Sequence, residues 1–146
     1  MGQFTFRLEQ VRLYRKQLEE QAMQALSQAV AQRDVTRVRI HTLEQALAEQ
    51  RIALSRAYCL SSGECWLARQ YESSLKQDIA DALALLRKQE NSVDVRRVDL
   101  TEKAKARNLL DTLKEKQAAR HERLELQKEQ QNNDEIATLR HNPVAV

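Results

Sequence analysis

Cys59-Leu60-Ser61-Ser62-Gly63-Glu64 is the stretch whose local chemistry sets the fold. It holds Gly63, the only glycine besides Gly2. Ser61 to Glu64 has the Ser-x-x-Glu form of a capping box, in which a serine hydroxyl and a glutamate carboxylate each accept the other's unpaired backbone N–H at a helix start. The spacing predicts one helix over about 4–60, a turn over about 61–63 and a second helix over about 64–140. A connection this short makes the two helices antiparallel neighbours.

Both flanks of the turn carry the pattern such a hairpin needs. Before it, Phe4, Leu8, Val11, Leu18, Ala22, Ala25, Ala29, Thr36, Ile40, Leu43, Leu47 and Leu54 recur at intervals of three and four, or of seven where a step is skipped. That period of 3.5 draws one stripe along a helix facing a partner helix. Arg33 interrupts it, and the spacing through Ala25, Ala29 and Arg33 is a stutter that locally unwinds a supercoil. After the turn, Leu75, Ile79, Ala82, Leu86, Gln89, Val93, Arg96 and Leu100 keep the repeat without a slip, and Leu110 and Leu113 extend it. Folding about residue 61 sets Leu47 against Leu75, Leu43 against Ile79, Ile40 against Ala82, Ala29 against Val93, Ala22 against Leu100 and Leu8 against Leu113. The polar layers coincide too, with Arg33 against Gln89 and Arg15 against Arg107. Phe6 and Leu13 fall one step off the stripe and are expected to face outward.

Composition agrees. The 146 residues include 2 Gly and 1 Pro, where average usage would supply about ten and about seven. Sheets need turn residues every 8–12 positions or so, which excludes sandwiches, barrels and nucleotide-binding α/β folds. The expected fold is all-α, a single long two-helix antiparallel coiled-coil hairpin spanning 1–146. Pro143 stops the second helix. Because the second helix outruns the first, Arg120 to Arg140 forms a C-terminal helical overhang without a partner in its own chain.

Charge narrows the function. Lys and Arg number 24 and Asp and Glu 21, for a net +3, with both signs interspersed. A basic reading arm is missing, so nucleic acid is not an expected partner. No run nears the roughly 18 apolar residues of a membrane span, and the start lacks a secretory apolar core. A cytosolic location is expected, with no direct membrane insertion and with Cys59 and Cys65 reduced. These cysteines flank the turn without a histidine nearby, so plain thiols are the main reading, beside a disulfide or a metal site. His41, His121 and His141 are far apart and read as solvated helix residues. Trp66 and Tyr71, just past the turn, read either as filling where the helices diverge or as a partner-binding tip. With no nucleophile elbow, phosphate loop or carboxylate pair, the chain is expected to be no enzyme, with no catalytic, cofactor or metal site. A binding or mechanical role remains.

The two ends carry a resemblance. The start reads Phe4-x-Phe6-x-Leu8-x-x-Val11-x-Leu13. The far end reads Leu109-Leu110-Asp111-Thr112-Leu113-Lys114-Glu115-Lys116, then Gln127-Lys128-Glu129 and Asn133-Asp134-Glu135-Ile136-Ala137 with Arg140. This resembles the FliJ family, the soluble coiled-coil component of the bacterial flagellar type III export apparatus. The resemblance covers the chain in length and layout, although Asp111-Thr112 stands where the family often has a Glu-Lys-like pair. It implies a stalk similar to the gamma subunit of rotary ATP synthases, with paired termini inserted into a hexameric flagellar export ATPase. It also implies contacts with the membrane-embedded export gate and with flagellar substrate chaperones, for a monomer peripherally associated with the inner membrane at the flagellar base. By that carry-over Phe4, Leu8, Val11, Leu110, Leu113, Glu115, Lys128, Asp134 and Glu135 lie at the ATPase end, where Phe6 and Leu13, one step off the stripe, are the candidates for outward contacts. Trp66, without a family counterpart, and Tyr71 are turn-end candidates from their position alone. The alternatives are the equivalent stalk of a virulence secretion injectisome and a generic self-associating cytoplasmic scaffold.

Overall fold

The computed structural model describes residues 2–57 and 61–141. Two helices account for nearly all of them: α1, Glu9–Arg56, of 48 residues, and α2, Ser62–His141, of 80 residues. There is no strand among the described residues. The helices pack against each other, as a two-helix hairpin requires.

The capping box forms as the sequence spells it. Ser61 Oγ accepts the Glu64 backbone N–H at 3.1 Å, and Glu64 Oε2 accepts the Ser61 N–H at 3.4 Å. Gly63 therefore sits inside the first turn of α2 and adopts no positive φ. Acidic Glu9 and Glu64 lie in the first turns and basic Arg56, Arg140 and His141 in the last turns, where each opposes the partial charge of the helix end. Cys59, Leu60 and Pro143 lie outside the described residues. The half-buried Cys65 follows the cap.

Two boundaries differ from expectation. α1 ends at Arg56, short of Leu60, and it begins at Glu9, not at Phe4. The late start has a physical cause. In a helix, residues two apart point about 200° away from each other, so Phe4 and Phe6 would not both reach α2. Non-helical backbone over residues 2–6 lets both rings be used. Phe6 is 8% exposed, and the Phe4 ring lies 5.6 Å from the His121 ring, tilted at 52°. The outward placement expected for Phe6 is thereby corrected, whereas Leu13 does face outward at 47% exposure.

The chain divides into two compact units: unit 1 is Met1–Glu19 with Glu102–Val146, and unit 2 is Glu20–Thr101. In unit 2 the buried residues are Ala22, Ala29, Thr36 and Ile40 of α1 and Leu75, Ala82 and Val93 of α2. Every one lies on the predicted stripe. Moving along α1 from Arg37 to Arg51 takes the ionic partner on α2 back from Glu90 to Glu72, each pair at 3.3 Å. The helices of this unit therefore run antiparallel, with these two ion pairs offset by five residues and one residue from the predicted pairing. Near the turn, Gln50 Nε2 donates to the Ala68 carbonyl at 2.9 Å.

The polar layer at the stutter is only half satisfied. Arg33 turns to its neighbour Asp34 at 3.2 Å, and buried Gln89 Oε1 has no hydrogen-bond partner. Thr36 Oγ1 donates back to the Gln32 carbonyl. Arg96, expected on the stripe, is exposed, because a long cationic side chain gains more by reaching water than by staying in a thin seam.

Candidate functional site

Unit 1 gathers most of the residues that the sequence singles out at the end remote from the turn. Residues 2–6 lie along α2: Phe4 meets His121, and a Cβ placed on Gly2 would come within 4 Å of Glu125 and His121 side-chain atoms. His121 Nε2 is 3.8 Å from Glu125 Oε1. The expected overhang from Arg120 is thus partly covered, and continuous exposure of α2 begins at Leu126 and runs to His141.

Between α1 and α2 in this unit three ion pairs cross. Lys114 Nζ donates to Glu9 Oε2 at 3.0 Å, and Arg12 donates to both Glu9 oxygens at 3.2 and 3.1 Å. Arg12 Nη1 also reaches Asp111 Oδ1 at 3.2 Å. Arg107 joins Asp111 Oδ2 at 2.5 Å and pairs with Glu19. The expected Arg15–Arg107 layer is replaced by this arrangement, with Arg15 exposed. Glu19, one turn further along α1, supplies the opposite charge that Arg107 needs.

The electrostatics follow from these partners. Lys114, with Arg12 beside it, holds the Glu9 carboxyl below the usual glutamate range. Glu19 first, then Asp111, stabilises the Arg107 cation and raises its pKa. In unit 2, Lys76 and then Arg51 lower Glu72 in the same way. A carboxyl whose pKa is lower folded than unfolded adds stability above its unfolded value, about 4.3 for glutamate. That stability is lost as pH falls through the folded value. Acid should therefore loosen the Glu9 and Glu72 contacts. Carboxyl carbon NMR should give Glu9 a midpoint below the ordinary range, and Lys114→Ala should move it upward. A midpoint indifferent to Lys114→Ala would remove the contact from solution.

A family model described as flagellar FliJ protein matches residues 4–143, nearly the whole chain. The chain belongs to the FliJ family. A FliJ-family protein is a non-enzymatic component of the flagellar type III export apparatus. No curated protein and no solved structure matches the chain. No helix among the described residues is long and apolar enough to cross a membrane, and no group of His, Cys, Asp or Glu among them has the makings of a metal site.

On this FliJ-family chain the family-motif residues fall into two kinds. Phe4, Phe6, Leu110 and Leu113 are buried or half-buried. Leu8, Val11 and Leu13 are exposed at 38%, 42% and 47%, and Glu115, Lys128, Asp134 and Glu135 are exposed too. An open groove of about 540 Å³ runs along α2 past Lys105, Leu109, Leu113 and Lys116. At the turn end, in unit 2, Trp66 and Tyr71 are 61% and 50% exposed, so they fill no core. Sequence reasoning missed the ionic set of Glu9, Arg12, Glu19, Arg107, Asp111 and Lys114. Its only sequence signal is opposite charge at positions facing each other across the fold, and long side chains pair diagonally enough to hide it.

Proposed function

We propose that the protein is a central-stalk-like coiled coil. In this reading its unit 1 end enters the hexameric flagellar export ATPase, and the chain links that ring to the export gate and to substrate chaperones. It works as a monomer, in the cytoplasm against the inner membrane at the flagellar base. Family membership supports the export setting. One observation carries the finer reading: α2 continues from Leu126 to His141 as helix with every residue exposed. Its charges are mixed, with Lys128 and Arg140 against Glu129, Asp134 and Glu135, and its apolar line is weak, with Ile136 at 49% exposure. A helix polar on nearly all sides is marginal in water by itself, and a surrounding partner completes it. A polar-lined ring bore suits it, because many weak contacts let a ring cycle where one deep apolar anchor would lock it. Leu8, Val11, Leu13, Glu115, Lys128, Asp134 and Glu135 are the contacts assigned to that bore, and Trp66 and Tyr71 those assigned to partners at the turn end.

The test is reconstitution with the export ATPase. The full chain should promote hexamer assembly and raise ATP turnover, and should co-purify with the ring. Turnover and assembly unchanged by the full chain would refute the stalk reading.

A further inference from the structure

The two units are held by different forces. Unit 2 has its buried stripe of alanine, isoleucine, leucine and valine. In unit 1 the α1 part, Glu9–Glu19, buries no apolar side chain fully: Leu18 is half-buried, and Leu8, just before the segment, and Val11, Leu13 and Tyr14 within it are exposed. What crosses to α2 instead is a chain of charges. Taken end to end it runs Lys114, Glu9, Arg12, Asp111, Arg107, Glu19, alternating in sign and summing to zero. The only buried apolar side chain of unit 1 among the described residues is Phe6. Its carbonyl accepts the Glu9 N–H at 3.2 Å, which ties the phenylalanine segment to the first turn of α1.

We propose that this charge chain is a releasable latch on an aromatic arm. Residues 2–19 lift from α2 as one piece when the charges are screened or competed for. Release uncovers Phe4 and Phe6 while unit 2 stays paired. The linkage gives the latch its cooperativity: Asp111 serves both Arg12 and Arg107, and Glu9 serves both Lys114 and Arg12. Removing one member takes one of two partners from each inner neighbour, and the only chain partner from Lys114 or Glu19 at the ends. The side chains are 13% to 35% exposed, so mobile ions reach them. The screening length falls from about 30 Å at 0.01 M salt to about 3 Å at 1 M. A protein partner offering carboxylates or guanidinium groups would act as salt does, by substituting for a link. The latch stands whether or not the stalk reading does.

Hydrogen exchange of the full chain across that salt range tests it. Amides of residues 12–19 should lose protection about tenfold, while those of 29–43 change less than about twofold. The chain has only 2 phenylalanines, so fluorophenylalanine labelling gives one NMR signal for Phe4 and one for Phe6. Both should move to the solvent position in step with the exchange. Arg107→Glu should open the arm at low salt, and adding Glu19→Arg should close it again. Replacing both by leucine should keep the arm closed and blunt its salt response, which separates latch from fold. The proposal is overturned if residues 12–19 respond to salt no more than 29–43, if both lose protection together, or if Arg107→Glu leaves the phenylalanine signals unmoved.

Discussion

Val93→Asp should unfold unit 2 at temperatures the wild-type chain survives. Val93 is 1% exposed, the most enclosed side chain among the described residues. A carboxylate placed there must either carry its charge out of water or bind a proton. The expected loss is about 3–5 kcal/mol, against a typical total for a domain of about 5–15 kcal/mol. Val93→Ala removes two buried carbons at about 0.8 kcal/mol each, so it should be milder. Val95→Asp is the control: Val95 is 66% exposed two residues along the same helix, and a surface change of that kind stays within about 0.5 kcal/mol. Thermal unfolding by circular dichroism reads all three. Equal effects at positions 93 and 95 would mean that the stripe is not the core in solution.

Truncation after Gln127 should return the turnover of the export ATPase to its basal value while the melting temperature of the remaining chain stays in place. The cut spares His121 and Glu125, beside Phe4 and the Gly2 backbone, and the described residues it removes, 128–141, are all exposed. Nothing buried among the described residues is lost, so no unfolding is expected. Lys128→Ala alone should do little, because its pair with Glu125 at 3.5 Å is an exposed one. A truncated chain that stimulates the ATPase as the full chain does would remove the tail from the contact. A truncated chain that melts early would show that the tail packs in solution.

The heptad stripe in unit 2 was readable because burial there depends on apolar period alone: Ala22, Ala29, Thr36, Ile40, Leu75, Ala82 and Val93 all stand where a period of 3.5 puts them. The capping box was readable because its chemistry is local to four residues. The phenylalanine segment was not. Phe4 and Phe6 fit a helix pattern badly, and only the docked leader, with His121 and Glu125 beneath it, shows that both are used. Nor was the charge chain, since register matches Arg107 with Arg15, and only the reach of its long side chain brings it to Glu19. Arg96 went astray for the same reason, being at a stripe position yet long enough to leave it. The motif residues were legible as a set at the two ends of the chain, but which of them hold the end closed and which face outward required the structure.

The antiparallel layout also sets an order of events in folding. Gln50 and Ala68, and Arg51 and Glu72, stand 18 and 21 residues apart along the chain, whereas Arg12 and Asp111, and Glu9 and Lys114, stand 99 and 105 apart. Bringing the distant pairs together first would close loops of greater entropic cost before any apolar contact compensates. Pairing therefore starts beside the Ser61–Glu64 cap and zips outward, so that the earliest residues to leave the ribosome are the last to find their partners. Until α2 is synthesised past His121, the phenylalanine segment of a nascent chain has nowhere to dock.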